Sequence, residues 1–177
     1  MRTILQIMDE MAEAGGNEAL VEFAHGEPQT LTRSDLQSRA AAIAAALTAR
    51  GLQPGERVAI CANPSSDWVV TALAVIRAGA VLVPVDAQMD RDNLRHVLLD
   101  SDTRCVFADK DRRTRVDKLN IDKAPDAYTL GDDSALRDGS HTPPATWPER
   151  KPEDEAVLFY TSGTTGRPKG VPLTHAN

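Results

Sequence analysis

Aromatic side chains are scarce in this sequence of 177 residues: two Trp, two Tyr and three Phe make up 4% of it. Basic residues are also a minority, with 20 Lys and Arg against 26 Asp and Glu and a formal net charge of −6. Proteins that bind nucleic acid carry a cationic surface, and those that bind single strands add aromatic rings on which bases stack. The composition therefore argues against a nucleic-acid partner.

Long apolar runs and cysteine-rich motifs are missing as well. No stretch approaches the roughly 18 consecutive apolar residues of a membrane-spanning helix, and Asp9 and Glu10 fall where a signal peptide needs an apolar core. The two cysteines, Cys61 and Cys105, lie in separate apolar segments and lack the spacing of a redox or zinc motif. We expect reduced core thiols in a cytoplasmic protein without a membrane span.

What the sequence does contain is an alternation of short apolar segments with longer amphipathic ones. Helical spacing of apolar residues, with start and stop signals at the ends, predicts helices near 4–11, 32–50, 66–78 and 91–98. Strands are predicted at 19–24, 29–31, 57–61, 80–85, 104–107, 126–130, 156–160 and 171–174. This rhythm predicts one α/β domain, a three-layer fold with a mostly parallel sheet flanked by helices.

Two segments depart from that rhythm. Residues 109–123 form a charged run to which the pattern assigns no helix or strand. Residues 131–155 contain four prolines and scattered charges, and we interpret them as a surface loop.

The most informative stretch is 160–170, which reads YTSGTTGRPKG and directly follows an apolar run. Glycines can adopt the positive φ that lets successive backbone N–H groups converge on one anion. The Ser and Thr hydroxyls add uncharged donors, and Lys169 adds a cation. A polyphosphate would satisfy all of these donors at once, so the stretch predicts a phosphate-binding loop.

The loop differs from the common P-loop, G-x-x-x-x-G-K-[ST], because Lys169 is followed by Gly170 and no helix is predicted after it. The phosphates would therefore lie in a strand-loop-strand turn. For a loose run of Gly, Ser and Thr, an ordinary polar hairpin would be the better interpretation. The particular order of residues here favours phosphate binding.

The same stretch, together with Thr174-His175-x-Asn177, resembles the phosphate-loop signature of the AMP-forming adenylate-forming enzymes. That superfamily includes acyl-CoA synthetases, the adenylation domains of peptide synthetases and firefly-type luciferases. The segments 31–36 and 76–86 are similar to two further family motifs, although Arg33 stands where an aromatic residue is usual. Only about residues 109–150 carry no family feature.

The resemblance implies a large N-terminal domain of an acyl-CoA synthetase, which joins a carboxylic acid to AMP with ATP and Mg²⁺ and then passes the acyl group to coenzyme A. It implies that 1–177 is the N-terminal part of the AMP-binding (adenylation) domain, ending just after the phosphate loop, with the remainder of the ligase missing. Such a part is expected to be inactive alone. The resemblance assigns no certain catalytic residue and no metal ligand within the chain. It implies that the ATP phosphates contact Thr161, Ser162, Gly163, Thr164, Thr165, Gly166 and Lys169.

Three alternatives stay open at this point. The enzyme could load a carrier protein in place of coenzyme A, or the chain could be a stand-alone nucleotide-binding or regulatory module. An ATPase or kinase of another class is disfavoured by the lysine spacing. The isolated His25, His96 and His141 are interpreted as structural or surface residues.

Overall fold

The computed structural model describes residues 2–13, 16–24, 26–131, 143–144, 146–161 and 166–177. The helices are α1 (Ile4–Glu13), α2 (Arg33–Ala49), α3 (Ser66–Arg77), α4 (Arg91–Asp100) and α5 (Lys110–Asp117). An antiparallel hairpin is formed by β1 (Glu18–Ala24) and β2 (Glu27–Thr32). The second sheet contains β3 (Arg57–Cys61), β4 (Val81–Val85), β5 (Thr103–Ala108), β6 (Asp126–Thr129), β7 (Glu155–Thr161) and β8 (Lys169–Thr174).

The second sheet has the strand order β6-β5-β3-β4-β7-β8, and all its neighbours are parallel except the pair β7 and β8. The chain steps from β3 to β4 in one direction and then returns past β3 to β5. Because parallel crossovers are right-handed, this reversal places α3 on one face and α4 on the other. The step from β5 to β6 continues in the same direction, so α5 shares the face of α4.

Two separate hydrophobic clusters confirm this layering. One joins α1, α2 and α3 to one side of the sheet through residues such as Leu36, Val75 and Ile60. The other joins α4 and α5 to the opposite side through Leu94, Val97 and the strand residues facing them. The predicted three-layer fold with a mostly parallel sheet is therefore the observed one.

Side-chain caps begin α2, α3 and α4 close to the predicted starts at residues 32, 66 and 91. The Thr32 side chain accepts from the Asp35 backbone N–H while the Asp35 carboxylate accepts from the Thr32 backbone N–H, a reciprocal capping box at the start of α2. Hydrogen bonds from Thr32 hold the pKa of Asp35 below its ordinary value. Ser65 and Asp90 cap α3 and α4 in the same way, by accepting from backbone N–H groups of the first turn.

The charged run at 109–123 forms a helix that the sequence pattern did not predict. Asp109 caps α5 by accepting from the Arg112 backbone N–H. Val116 is the one buried residue of α5, so the helix has no apolar stripe from which a 3.6-residue period could be recognised. It forms because its cap and its position between β5 and β6 favour it.

Both cysteines are free thiols buried in the core, as predicted. Burial raises the pKa of Cys61 to about 11 and that of Cys105 to about 12. None of the helices in the described part of the chain combines the length and apolar content needed to cross a bilayer.

Much of the predicted surface loop at 131–155 falls outside the described residues. Its described residues 131, 143–144 and 146–154 contain no helix or strand, and its last residue, Glu155, begins β7. Trp147 within it is partly buried and packs against the core cluster to which α1, α2 and α3 contribute. The interpretation of the whole segment as a loop stays a prediction.

Candidate nucleotide-phosphate site

The predicted phosphate loop joins β7 to β8 at one end of the six-stranded sheet. These two strands pair in an antiparallel ladder that ends with Thr161 opposite Lys169. Since β7 runs parallel to β4, the loop lies at the carboxyl end of the parallel strands, which is where open α/β sheets place their ligands. The strand-loop-strand arrangement predicted from the sequence is therefore present.

Three of the seven predicted phosphate-binding residues are described, and they lie on the two sides of the loop. Thr161 ends β7 and Lys169 begins β8, and both are exposed at that edge of the sheet. Gly166 has φ +143°, a left-handed conformation that favours glycine, although a Cβ there would meet no atom within 4 Å. The other four predicted residues lie outside the described part of the chain: Ser162, Gly163, Thr164 and Thr165.

Tyr160, at the entry to the loop, is held from two sides. Its hydroxyl donates to Oδ2 of Asp100 at the end of α4, over 2.7 Å. Its ring lies close to Gly170, where an added Cβ would come within 3.3 Å of Tyr160 Cζ and 3.1 Å of Leu158 Cδ1. Burial, and next the hydrogen bond to Asp100, raise the pKa of the Tyr160 phenol above its ordinary value.

Pro168, at the exit from the loop, is held by the same helix. The His96 Nε2 lies 3.0 Å from the Pro168 carbonyl oxygen. Because a carbonyl only accepts, Nε2 carries the proton and donates. His96 therefore has a contact with the predicted site, which the sequence interpretation of this residue as structural or surface did not foresee.

An open cleft of about 360 Å³ lies between α4 and the exit of the loop. His96 and Asp100 form one wall, and residues 166–170 form the other. Among the described residues that line it, Arg167 and Lys169 are the basic side chains of the loop wall. The cleft gives an anionic ligand access to this end of the hairpin.

A second polar cluster lies at the opposite end of β7 and β8. Arg57 pairs with Glu155 at 2.9 Å, and Arg150 pairs with Asp154 at 3.3 Å. His175 is 4% exposed, and neither ring nitrogen has a hydrogen-bond partner among the described residues. Burial, and next the charge of Arg150, lower the pKa of His175. This cluster is separated from the phosphate loop by the length of the hairpin.

The described residues contain no preformed metal site. Among them, no three His, Cys, Asp or Glu side chains are grouped to hold a metal ion. Asp100, the acid that lines the cleft at the loop exit, already accepts a hydrogen bond from the Tyr160 hydroxyl. The Mg²⁺ that the resemblance implies would have to be held by other groups.

Known proteins place this arrangement in a family. The family described as AMP-binding enzyme matches residues 8–177. Tyrocidine synthase 3 of Brevibacillus parabrevis is 36% identical over 98% of this chain, and the fatty acid–[acyl-carrier-protein] ligase ScoC of Streptomyces coeruleorubidus is 35% identical over 84% of it. The structure of McyG A-PCP complexed with phenylalanyl-adenylate has the same fold, with a TM-score of 0.86 over 98% of this chain at 23% identity.

The chain is much shorter than these relatives. It spans 2% of tyrocidine synthase 3, 29% of ScoC and 32% of the McyG chain. The match nonetheless covers nearly every residue from α1 to the end of β8, including the phosphate-loop signature. The chain belongs to the AMP-binding enzymes, within the adenylate-forming superfamily that its sequence resembles.

Proposed function

We propose that this chain is part of an enzyme that activates a carboxylic acid with ATP and loads the acyl group onto a carrier-protein thiol. One observation carries the proposal: the YTSGTTGRPKG loop joins β7 to β8 at the carboxyl end of the sheet in a chain that matches the AMP-binding enzymes over residues 8–177.

The reaction would proceed in two displacements. A carboxylate oxygen attacks the α phosphorus of ATP, the bond from that phosphorus to the bridging oxygen breaks, and pyrophosphate leaves with the electron pair. A thiolate then attacks the acyl carbon, and AMP leaves with the electrons of the acyl–oxygen bond. No described residue is assigned to proton transfer in either step.

The role of the loop in this scheme is electrostatic. Charge develops on the departing pyrophosphate, and donors fixed in advance around it lower the barrier. We assign this role to Lys169 and to the hydroxyls and backbone N–H groups of residues 161–166.

The relatives favour a different acceptor for the acyl group from the one that the sequence resemblance implies. The resemblance alone favoured coenzyme A. ScoC is named a fatty acid–[acyl-carrier-protein] ligase, and the McyG structure is named A-PCP in complex with phenylalanyl-adenylate. These support a carrier protein as the acceptor, whereas none of the three relatives described above is named for coenzyme A.

The proposal is tested with the protein expressed from its whole reading frame. Exchange of labelled pyrophosphate into ATP is measured against a panel of amino, aryl and fatty acids, and acyl transfer is then compared between a phosphopantetheinylated carrier protein and coenzyme A. We expect exchange that depends on one class of acid and transfer at least about tenfold faster to the carrier protein.

Three outcomes would contradict the proposal in different ways. Faster transfer to coenzyme A would identify an acyl-CoA synthetase. ATP hydrolysis that needs no carboxylic acid would identify an ATPase of another class. ATP binding without exchange for any acid would favour a binding or regulatory module.

A further inference from the structure

We propose that α4 holds the phosphate loop at both of its ends, with His96 and Asp100 as positioning residues for the bound ATP. The inference rests on the proposed function for its ligand. It assigns a role to two α4 residues that lie outside the phosphate-loop signature and to a tyrosine at the loop entry.

The two contacts come from one face of one helix. His96 and Asp100 are four residues apart, and residues with this spacing lie one turn apart on the same side of a helix. Asp100 accepts the Tyr160 hydroxyl at the entry to the loop, and His96 donates to the Pro168 carbonyl at its exit. A rigid surface therefore spans the opening of the hairpin.

The strands bring the two held points close together. Tyr160 is the ladder partner of Gly170, so its ring lies beside the strand that leaves the loop. A side chain at position 170 would compete for the space of the Tyr160 ring and of Leu158. Because Gly170 has no side chain, the Tyr160 ring can lie against β8 while the Tyr160 hydroxyl reaches α4.

The helix is anchored far more firmly than the loop ends that it contacts. Leu94 and Val97 of α4 are completely buried, and Leu98 is 3% exposed. By contrast, the residues next to the contacted Tyr160 and Pro168 are exposed, namely Thr161, Arg167 and Lys169, and β8 is an edge strand of the sheet. Because α4 is fixed in the core, its contacts limit the movement of the two loop ends.

Fixed loop ends matter because several donors must converge on the same phosphates. Donors that are already in place when ATP binds lose little freedom at that moment, and this raises affinity and rate. Releasing one end would leave every phosphate donor chemically intact but less well placed. The expected defect thus falls on ATP and leaves the carboxylic acid unaffected.

Four variants of the whole protein separate positioning from general damage. His96→Ala removes the donor to Pro168, and Tyr160→Phe removes only the hydroxyl that reaches Asp100. His96→Gln restores an N–H donor of similar reach. Arg95→Ala is the matched control, because Arg95 lies on α4 and donates to the Asn120 carbonyl, away from the loop.

The kinetic measurement compares the effect of each substitution on kcat/KM for ATP with its effect on KM for the carboxylic acid. We expect His96→Ala and Tyr160→Phe each to lower kcat/KM for ATP by about fivefold to tenfold, in keeping with one lost hydrogen bond, while KM for the acid changes less than about twofold. His96→Gln should recover most of the loss, and Arg95→Ala should resemble the unaltered protein. Equal losses for ATP and acid, or no rescue by glutamine, would overturn the positioning role.

Two readouts do not depend on turnover. Amide hydrogen exchange at residues 166–171 should become about fivefold faster in His96→Ala and Tyr160→Phe but not in Arg95→Ala, and calorimetry should show weaker binding of a non-hydrolysable ATP analogue. Unchanged exchange and unchanged binding would overturn the inference. If the unaltered protein adenylates no acid, the proposed function fails, and these two readouts still decide whether α4 holds the loop.

Discussion

Lys169 and Arg167 are two exposed cations, two residues apart, on the exit side of the phosphate loop. The proposed function gives a role to Lys169 alone. We predict that Lys169→Ala lowers kcat/KM for ATP by about a hundredfold, as expected for loss of a group that stabilises charge in the transition state. Pyrophosphate exchange at varied ATP concentration measures the effect.

Arg167→Ala is the matched control for that substitution, because it removes the same charge from the same segment. It should change kcat/KM for ATP by less than about threefold, as expected for an exposed charge. Similar decreases in kcat/KM for ATP in both variants would show that the total positive charge of the loop matters. They would contradict a specific contact of Lys169 with the phosphates.

The two buried thiols give a second prediction for single residues. Burial raises the pKa of Cys61 to about 11 and of Cys105 to about 12, so the reactive thiolate is nearly absent at neutral pH. In urea, both thiols of the unfolded protein should react with a disulfide reagent and release two equivalents of its thiol product per chain. Over the same time we expect no reaction of the native protein. Rapid labelling of the native protein would contradict the burial of these residues.

Among single residues, sequence reasoning identified those whose role depends on close neighbours in the chain. The phosphate loop was recognisable because its residues are contiguous in 160–170. The contact of His96 with Pro168 joins residues 72 positions apart, and the position of α4 against β8 follows from strand order, which no local pattern specifies. The phosphate-binding roles of all seven loop residues stay predictions: Thr161, Ser162, Gly163, Thr164, Thr165, Gly166 and Lys169.

At the scale of elements, the cap of α3 offers a direct test. The Ser65 hydroxyl accepts from the Trp68 backbone N–H, and α3 packs in the core against α2. Ser65→Ala should lower the free energy of unfolding by about 1 kcal/mol. Equilibrium unfolding in urea measures this loss.

Ser66→Ala provides the control, since it removes a hydroxyl from the adjacent position while the cap remains. Alanine is also the stronger helix former, so we expect a change within about 0.5 kcal/mol. An equal loss in both variants would mean that the Ser65 cap contributes little to the stability of α3.

The elements themselves were largely predictable, for reasons that the caps make clear. Helices α2, α3 and α4 each begin at a Thr, Ser or Asp whose capping role is local, and their apolar residues follow the helical period. Helix α5 has a cap but no apolar stripe. The apolar periodicity that predicted α2, α3 and α4 therefore gave no indication of α5. The return of the chain past β3 could not be inferred from composition.

At the scale of the whole molecule, His175 should make stability depend on pH. Burial, and next the nearby Arg150, lower its pKa in the folded protein, while Asp154 acts in the opposite sense. The unfolded chain therefore binds the proton more readily as the pH falls below about 6.5. The free energy of unfolding should decrease from that pH downward until the folded-state pKa is passed.

His175→Gln should remove this component of the pH dependence. Urea unfolding of both proteins from pH 7.5 to 5 would measure it, because the carboxylates contribute mainly at lower pH and equally to both. Identical slopes for the two proteins between pH 6.5 and 5.5 would contradict the role given to His175.

The strand order also determines when each part of the protein can form. Strands β3 to β6 are joined by successive crossovers, whereas β7 must find β4 across a long intervening segment, pairing Val157 with Leu82. Closing that longer loop costs more chain entropy and is slower. During synthesis β3 to β6 emerge and can fold before β7 and β8 leave the ribosome. Within this sheet, the edge that carries the proposed phosphate loop is then the last part to be assembled.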